Sequence, residues 1–302
     1  MKKSLLLLFV SCMTLWAQGY GLSPKQVAPK LYCFFGAVQV PNAENNGNMV
    51  NTCYIDAGSG WIVFDSGPTY RYAKEAYETM HNVKPQPILA VFNSHVHDDH
   101  WLGNGFYHAL GVTIYGPKNF SAEHLATPTR IETTVKPSFY KGTVPVAPDR
   151  LVSAPTTMKI GDLTLWLLVF GRPAHTSCDM ALFVSDERLL LAGDLVFNDR
   201  LPSLRDGSLS GWLDALERLK KMRWDVLVGG HGYKTGEDAM VFIEAYLGGL
   251  HSQVKAAMEE DVEMGEIVQS VGMPEFRDMA LYDVLHGKNV IKAYEELEWE
   301  SE

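Results

Sequence analysis

The sequence predicts an α/β protein that carries its chemistry at the ends of its strands. Short apolar runs rich in strand formers alternate with a helical pattern between Leu31 and Tyr115. A second strand-rich stretch covers residues 160–230, so the two halves read as two packed sheets. Histidines and aspartates gather in Gly- or Ser-flanked turns just after these strands, where α/β architectures collect functional groups.

The chain opens on a leader. Lys2-Lys3 precede the apolar run Leu5–Val10, a pattern that predicts a signal peptide over residues 1–19, cleaved after Ala17 or Gly19. That run is too short to cross a membrane. Cys12, after Phe9-Val10-Ser11, weakly matches a lipoprotein cleavage pattern, so a lipid anchor on Cys12 is the alternative to simple cleavage. Both place the mature chain outside the cytoplasm, periplasmic or secreted, where disulfides persist. The 302 residues carry a formal net charge of -10, which argues against nucleic acid or an anionic membrane surface as partner.

Leu31 to Val40 and Met49 to Ala57 read as strands around the polar turn Pro41–Gly47. Cys33 and Cys53 are equidistant from the centre of that turn, so an antiparallel register lets them face each other and form a disulfide. Trp61–Phe64 is a third strand, ending at Asp65-Ser66-Gly67-Pro68. Arg71 to Val83 is a helix with Ala73, Ala76, Tyr77 and Met80 on one face. The strand Ile88–Phe92 then delivers Asn93-Ser94-His95-Val96-His97-Asp98-Asp99-His100, and Val112–Tyr115 follows as a further short strand.

Pro117, Pro128, Pro137, Pro145 and Pro148 break the next stretch, 117–150, into a loop or lid with a short helix near Ser121–Ala126. Phe139, Tyr140 and Lys141 are its candidates for a place near substrate, a plain surface loop being the alternative. Leu163–Phe170, Met180–Val184 and Leu189–Ala192 are strands. Leu209, Trp212, Leu213, Leu216 and Leu219 recur at helical spacing, and Trp224–Val228 is the last strand, ending in Gly229-Gly230-His231-Gly232. Residues 22–250 form the main domain by this reading. Residues 251–302 form a helical extension with no nameable chemistry.

The strand-end residues His95, His97, Asp99, His100, His175, Asp194 and His231 supply nitrogen and oxygen donors of the kind zinc prefers. Asp65 is expected behind them, accepting a hydrogen bond from a ligand imidazole. Asp98 faces away if strand geometry continues, and is left outside the set. Cys178 reads either as a small buried side chain or as a thiol beside the metals, open to alkylation in both cases.

These motifs resemble the metallo-β-lactamase superfamily: His95-Val96-His97-Asp98-Asp99-His100, His175 with Thr176 and Asp179, Gly193-Asp194, and Gly230-His231-Gly232, over roughly residues 28–250. The resemblance implies an αββα four-layer sandwich with a binuclear site between the sheets. It implies one zinc held by His95, His97 and His175, a second by Asp99, His100 and His231, and Asp194 bridging both; iron is the other metal considered. It further implies hydroxide attack, oriented by Asp99, on a small-molecule substrate with a thioester-like or other carbonyl. An aspartate at 194 is similar to the glyoxalase-II-like and general metallohydrolase branches, because lactamases proper with a ligand there use cysteine. Residues 250–302 do not match the glutathione-binding region of those thioesterases. The segment Arg200–Leu213 resembles exported quinoprotein-relay zinc metallohydrolases and relatives near sulfur-oxidation clusters. Two other functions stay open: β-lactam hydrolysis, and a metal-binding accessory or redox role in an exported oxidation system.

Overall fold

A computed structural model describes residues 19–301. The leader and Cys12 lie outside the described residues. Two mixed sheets stack face to face. The first has seven strands in sequence order: β1 (Lys25–Ala28), β2 (Leu31–Phe34), β3 (Thr52–Asp56), β4 (Trp61–Phe64), β5 (Ile88–Phe92), β6 (Ile114–Pro117) and β7 (Arg150–Val152). Its first four strands pair antiparallel and the rest parallel. The second sheet, from β8 (Thr156–Ile160), β9 (Leu163–Val169), β10 (Met180–Val184), β11 (Leu189–Phe197) and β12 (Val226–His231), runs in the order β12-β11-β10-β9-β8.

Alternation along the strands builds three apolar layers. Ile62, Phe64, Ala90 and Phe92 face inward and meet Leu165, Leu167, Met180, Leu182 and Leu191 of the other sheet. Trp61, Val63 and Val91 face outward against α1 (Tyr70–Val83), which buries Ala73, Ala76 and Met80. Thr69 caps that helix by accepting a hydrogen bond from the Tyr72 amide. On the far side, Ala181, Phe183 and Leu190 pack under the helices that follow the second sheet. Strands covered on both faces carry no polar alternation, which is why β4, β10 and the first half of β11, Leu189 to Ala192, read as unbroken apolar runs. The result is the αββα sandwich.

Five short helices cross the loops of the first half or flank the site: α2 (Asp98–Trp101), α3 (Asn104–Ala109), α4 (Arg130–Thr134), α5 (Pro137–Tyr140) and, further on, the longer α6 (Leu209–Lys220). The strands expected at Leu31–Val40 and Met49–Ala57 are shorter than their apolar runs. Asn51 explains part of this: its side-chain amide bonds to the carbonyls of Gly229 and Gly232, pulling the chain out of the ladder. Cys33 and Cys53 stand directly opposite in the β2–β3 register and are joined in a disulfide, Cα to Cα 4.1 Å. Cys178 is wholly buried in the layer between the sheets. An alkylating reagent has no path to it in the folded state, which corrects the expected reactivity.

The end of the chain is helical: α7 (Glu237–Glu259), α8 (Ile267–Ser270) and α9 (Tyr282–Ser301). The boundary drawn at residue 250 passes through α7. Val254 and Ala257 beyond it, with Val290, Ala293, Tyr294 and Leu297 of α9, share one core with Leu216, Leu219 and Leu250. The last fifty residues therefore complete the outer helical layer. Among the described residues no helix is long and apolar enough to cross a membrane.

Candidate metal centre

The seven sequence-selected donors converge at one edge of the sandwich. β5 ends at Phe92, and the chain from Asn93 to α2 presents His95, His97, Asp99 and His100. His175 comes from the turn between β9 and β10, and His231 from the end of β12. Asp194 lies inside β11, which runs to Phe197 and so passes well beyond the expected end at Ala192. The pairing with β12 shifts register at Gly193, where φ is +55°. That bulge turns Asp194 into the site. A side chain at Gly193 would strike Ser94, its Cβ only 2.4 Å from the serine Cβ, so the two sheets approach closely here because the residue is glycine.

Two groups of donors form. His95, His97, His175 and Asp194 place one ligand atom each within 4.8 Å of one another, and Asp99, His100 and His231 do the same. Asp194 touches both groups. Its Oδ2 is 3.1 Å from His175 Nε2 and 3.3 Å from His231 Nε2, and its Oδ1 is 3.2 Å from His100 Nε2.

Three imidazoles are oriented by partners outside the centre, whereas His175 Nδ1 is buried without one. Asp65 has a φ of +58°, and its carboxylate accepts bonds from the Ser94 amide (2.7 Å), the Ser94 hydroxyl (2.9 Å) and His100 Nδ1 (2.8 Å). His95 Nδ1 bonds to the same Ser94 hydroxyl at 2.9 Å. His231 Nδ1 donates to the Met49 carbonyl at 2.7 Å. In each case the ring nitrogen that remains, Nε2, faces the centre. His97 is turned the other way. Its Nε2 bonds to Asp206 at 2.9 Å, while its Nδ1 lies 3.0 Å from His175 Nε2.

Nε2 of His95 and of His100, Oδ2 of Asp99 and Oδ1 of Asp194 are buried with no hydrogen-bond partner. Such an orphan costs about 1–3 kcal/mol, so four gathered in one place call for a shared partner that accepts lone pairs. A metal cation would be such a partner, and a mixed imidazole–carboxylate set is of the kind that suits zinc. Burial opposes ionisation of Asp194, but His231, His100 and His95 outweigh it and hold the carboxyl well below the usual carboxylate range. Asp99 is likewise buried, and Arg130, His100 and His231 pull it down.

Two charged partners were not anticipated. Arg130, in the Pro-broken stretch, donates Nη2 to Asp98 Oδ1 (2.6 Å) and to Asp99 Oδ1 (2.5 Å). Asp98 thus faces away from the donors, as expected, and has a task of its own in clamping Arg130. Asp206 reaches His97 from more than a hundred residues away. Nothing local in the sequence marks either contact. Phe139 and Tyr140, by contrast, are buried, Phe139 against Tyr20 and Tyr140 near Trp101, so they do not face substrate. The segment contributes Thr129 and Arg130 to the cleft instead.

A family profile described as the metallo-beta-lactamase superfamily matches residues 45–231, more than half of the chain. The chain belongs to the metallo-β-lactamase superfamily. It is similar to the Homo sapiens acyl-coenzyme A thioesterase MBLAC2, 25% identical over 188 residues that cover 56% of this chain and 63% of that protein. The match thus spans less than two thirds of that relative's length. Among solved structures, the metallo-beta-lactamase from Pontibacter korlensis aligns at a TM-score of 0.61 and 18% identity, covering 75% of this chain and 99% of that one. The inverting sec-alkylsulfatase Pisa1 from Pseudomonas sp. aligns at 0.67 and 20% identity, over 91% of this chain and 50% of that one. At such identities the likeness is one of fold.

Proposed function

We propose that this superfamily member is an exported binuclear zinc hydrolase of a thioester-like small molecule. One observation carries the reading: seven nitrogen and oxygen donors from both sheets meet at one end of the sandwich, and five of their buried atoms lack a hydrogen-bond partner. His95, His97 and His175 would hold one ion, and Asp99, His100 and His231 the other. Asp194, in reach of imidazoles from both groups, would lie between them. Zinc bound there supplies Lewis acidity and lowers the pKa of water to about 7.

The chain's own residues do the rest. Arg130 fixes Asp99 through Oδ1 and so holds Oδ2, the atom that would ligate the second ion, at the centre, where the carboxylate would also orient the attacking water. Asp65, Ser94 and the Met49 carbonyl keep three imidazoles in one tautomer, so the site is organised before substrate arrives. A carboxylate at position 194 and the name of the human relative support a thioester substrate over a β-lactam. The basic start and apolar run of the leader support export, as does the Cys33–Cys53 disulfide.

The test is metal analysis of protein purified without added metal, joined to a panel of acyl thioesters, nitrocefin and a secondary alkyl sulfate. The expected result is about two zinc ions per chain and turnover of thioesters. Turnover confined to nitrocefin or to the sulfate would replace the substrate reading. Iron with no hydrolysis would favour the accessory or redox role.

A further inference from the structure

The stretch Arg200–Leu213 lies against the turn that carries His175, and glycines let it come close. A Cβ at Gly207 would stand 2.0 Å from the Ala174 carbonyl oxygen, and one at Gly211 would stand 1.9 Å from that of Pro173. Between them the Ser208 amide donates to the Ala174 carbonyl at 2.9 Å. Trp212, in the first turn of α6, is wholly buried. Its ring centroid is 4.9 Å from that of His175 with the planes at 61°, an edge-to-face pair. The indole is itself fixed, because its Nε1–H donates to the carbonyl of Leu195, the neighbour of Asp194, at 2.9 Å. Phe197 completes this apolar wall, 5.4 Å from His175 and stacked on His231 at 5.0 Å.

His175 needs such a hold. His95, His100 and His231 each bond through Nδ1 to a hydroxyl, a carboxylate or a carbonyl, and His97 bonds through Nε2 to Asp206. His175 Nε2 lies 3.1 Å from Asp194 Oδ2 and 3.0 Å from His97 Nδ1, so that nitrogen faces the centre. Its Nδ1 is buried with no hydrogen-bond partner among the described residues. With Nε2 reserved for an ion, the proton of a neutral ring sits on Nδ1. Such an N–H is costly to bury unless something electron-rich faces it, and the face of an indole is electron-rich. We propose that Trp212 is the positioning residue of His175, with the Nδ1–H aimed at the indole face where the other rings have an oxygen partner. With Asp206 on His97, this one stretch then orients two imidazoles of the first donor group. The proposal rests on the assignment of His175 as a metal ligand under the proposed function.

The test uses the zinc-loaded protein and reads metal rather than turnover. Loss of an outer partner costs about ten- to a hundredfold in metal affinity. Trp212→Leu should therefore weaken one of the two ions by about tenfold or more in competition with a chelator, leaving the other nearly unchanged. Trp212→Phe keeps an aromatic face and should recover most of that loss. Trp61→Leu removes a buried indole from the layer against α1 and serves as the control for a general loss of packing. Nitrogen-15 NMR of the native protein reads the contact itself, and decides alone if Trp212→Leu does not fold. A proton over an aromatic face is shifted upfield, so the Nδ1–H of His175 should lie upfield of that of His231, which donates to a carbonyl. A His175 proton as far downfield as that of His231 overturns the proposal. So does unchanged zinc affinity in Trp212→Leu, or equal weakening by Trp61→Leu, while the native protein holds its two ions. A native protein that binds no zinc removes the metal reading itself, and the positioning role with it.

Discussion

Asp194 is the residue on which the two donor groups depend, since both contribute imidazoles within 3.3 Å of its carboxylate. Asp194→Ala should lose about one of two bound zinc ions and lower turnover by about a hundredfold or more, read by metal analysis and kcat. Asp194→Cys keeps an anionic ligand and should retain both ions. Two ions and full turnover in the alanine variant would remove Asp194 from the ligand set. The residues of this site were visible in the sequence because their types and spacing are specific: histidines two and five apart after an apolar strand, then single histidines beside glycine. Arg130 and Asp206 were invisible for a physical reason. Their contacts join segments 31 and 109 residues apart, and an arginine or aspartate in a loop looks like any solvated charge until the chain is folded.

At the scale of elements, the β2–β3 hairpin shows what spacing alone can and cannot establish. The equidistance of Cys33 and Cys53 from the turn depended only on antiparallel register, which the fold keeps. Strand length was misjudged because apolar content continues where Asn51 leaves the ladder to bind the Gly229 and Gly232 carbonyls. The disulfide closes a loop spanning 20 positions, worth about 3 kcal/mol in the chain-entropy view. Reduction with a phosphine should therefore lower the Tm by roughly 6–12 °C, and the Cys33→Ala, Cys53→Ala variant should be indifferent to the reductant. Mass spectrometry after alkylation gives a second check on the same element. Among Cys33, Cys53 and Cys178, none should react in the folded protein, Cys178 alone after unfolding, and all three after unfolding and reduction. Reaction of Cys178 in the native state would show that the sheets part more readily than their packed faces suggest.

For the molecule as a whole, the least expected finding is how far the C-terminal helices are built into the sandwich. Periodicity revealed that residues after 236 are helical, but no pattern says which sheet face a helix covers, so 251–302 read as an appendage. Glu296 of α9 shows the integration. Its carboxylate accepts hydrogen bonds from the Ser208 hydroxyl (2.8 Å) and from the amides of Leu209 (2.7 Å) and Ser210 (2.9 Å), the first turn of α6. Those amides have no partner inside the helix, and a negative charge there also meets the positive end of the helix dipole. Asn289 holds the loop before α6 in the same manner, donating to the Pro202 carbonyl and accepting from the Leu204 amide. That loop carries Asp206, so α9 braces the outer partner of His97 from across the core. Glu296→Ala should destabilise the protein by about 2 kcal/mol, since bonds to a charged acceptor are worth roughly 1.5–3 kcal/mol. Glu296→Gln retains an acceptor oxygen and gives up the charge, so it should fall between the two. The midpoint of urea unfolding measures both at constant slope. Added salt should bring the native protein closer to the glutamine variant, because the dipole contribution is screened and the hydrogen bonds are not. Equal stability of all three proteins would mean that α6 is held by its apolar face alone.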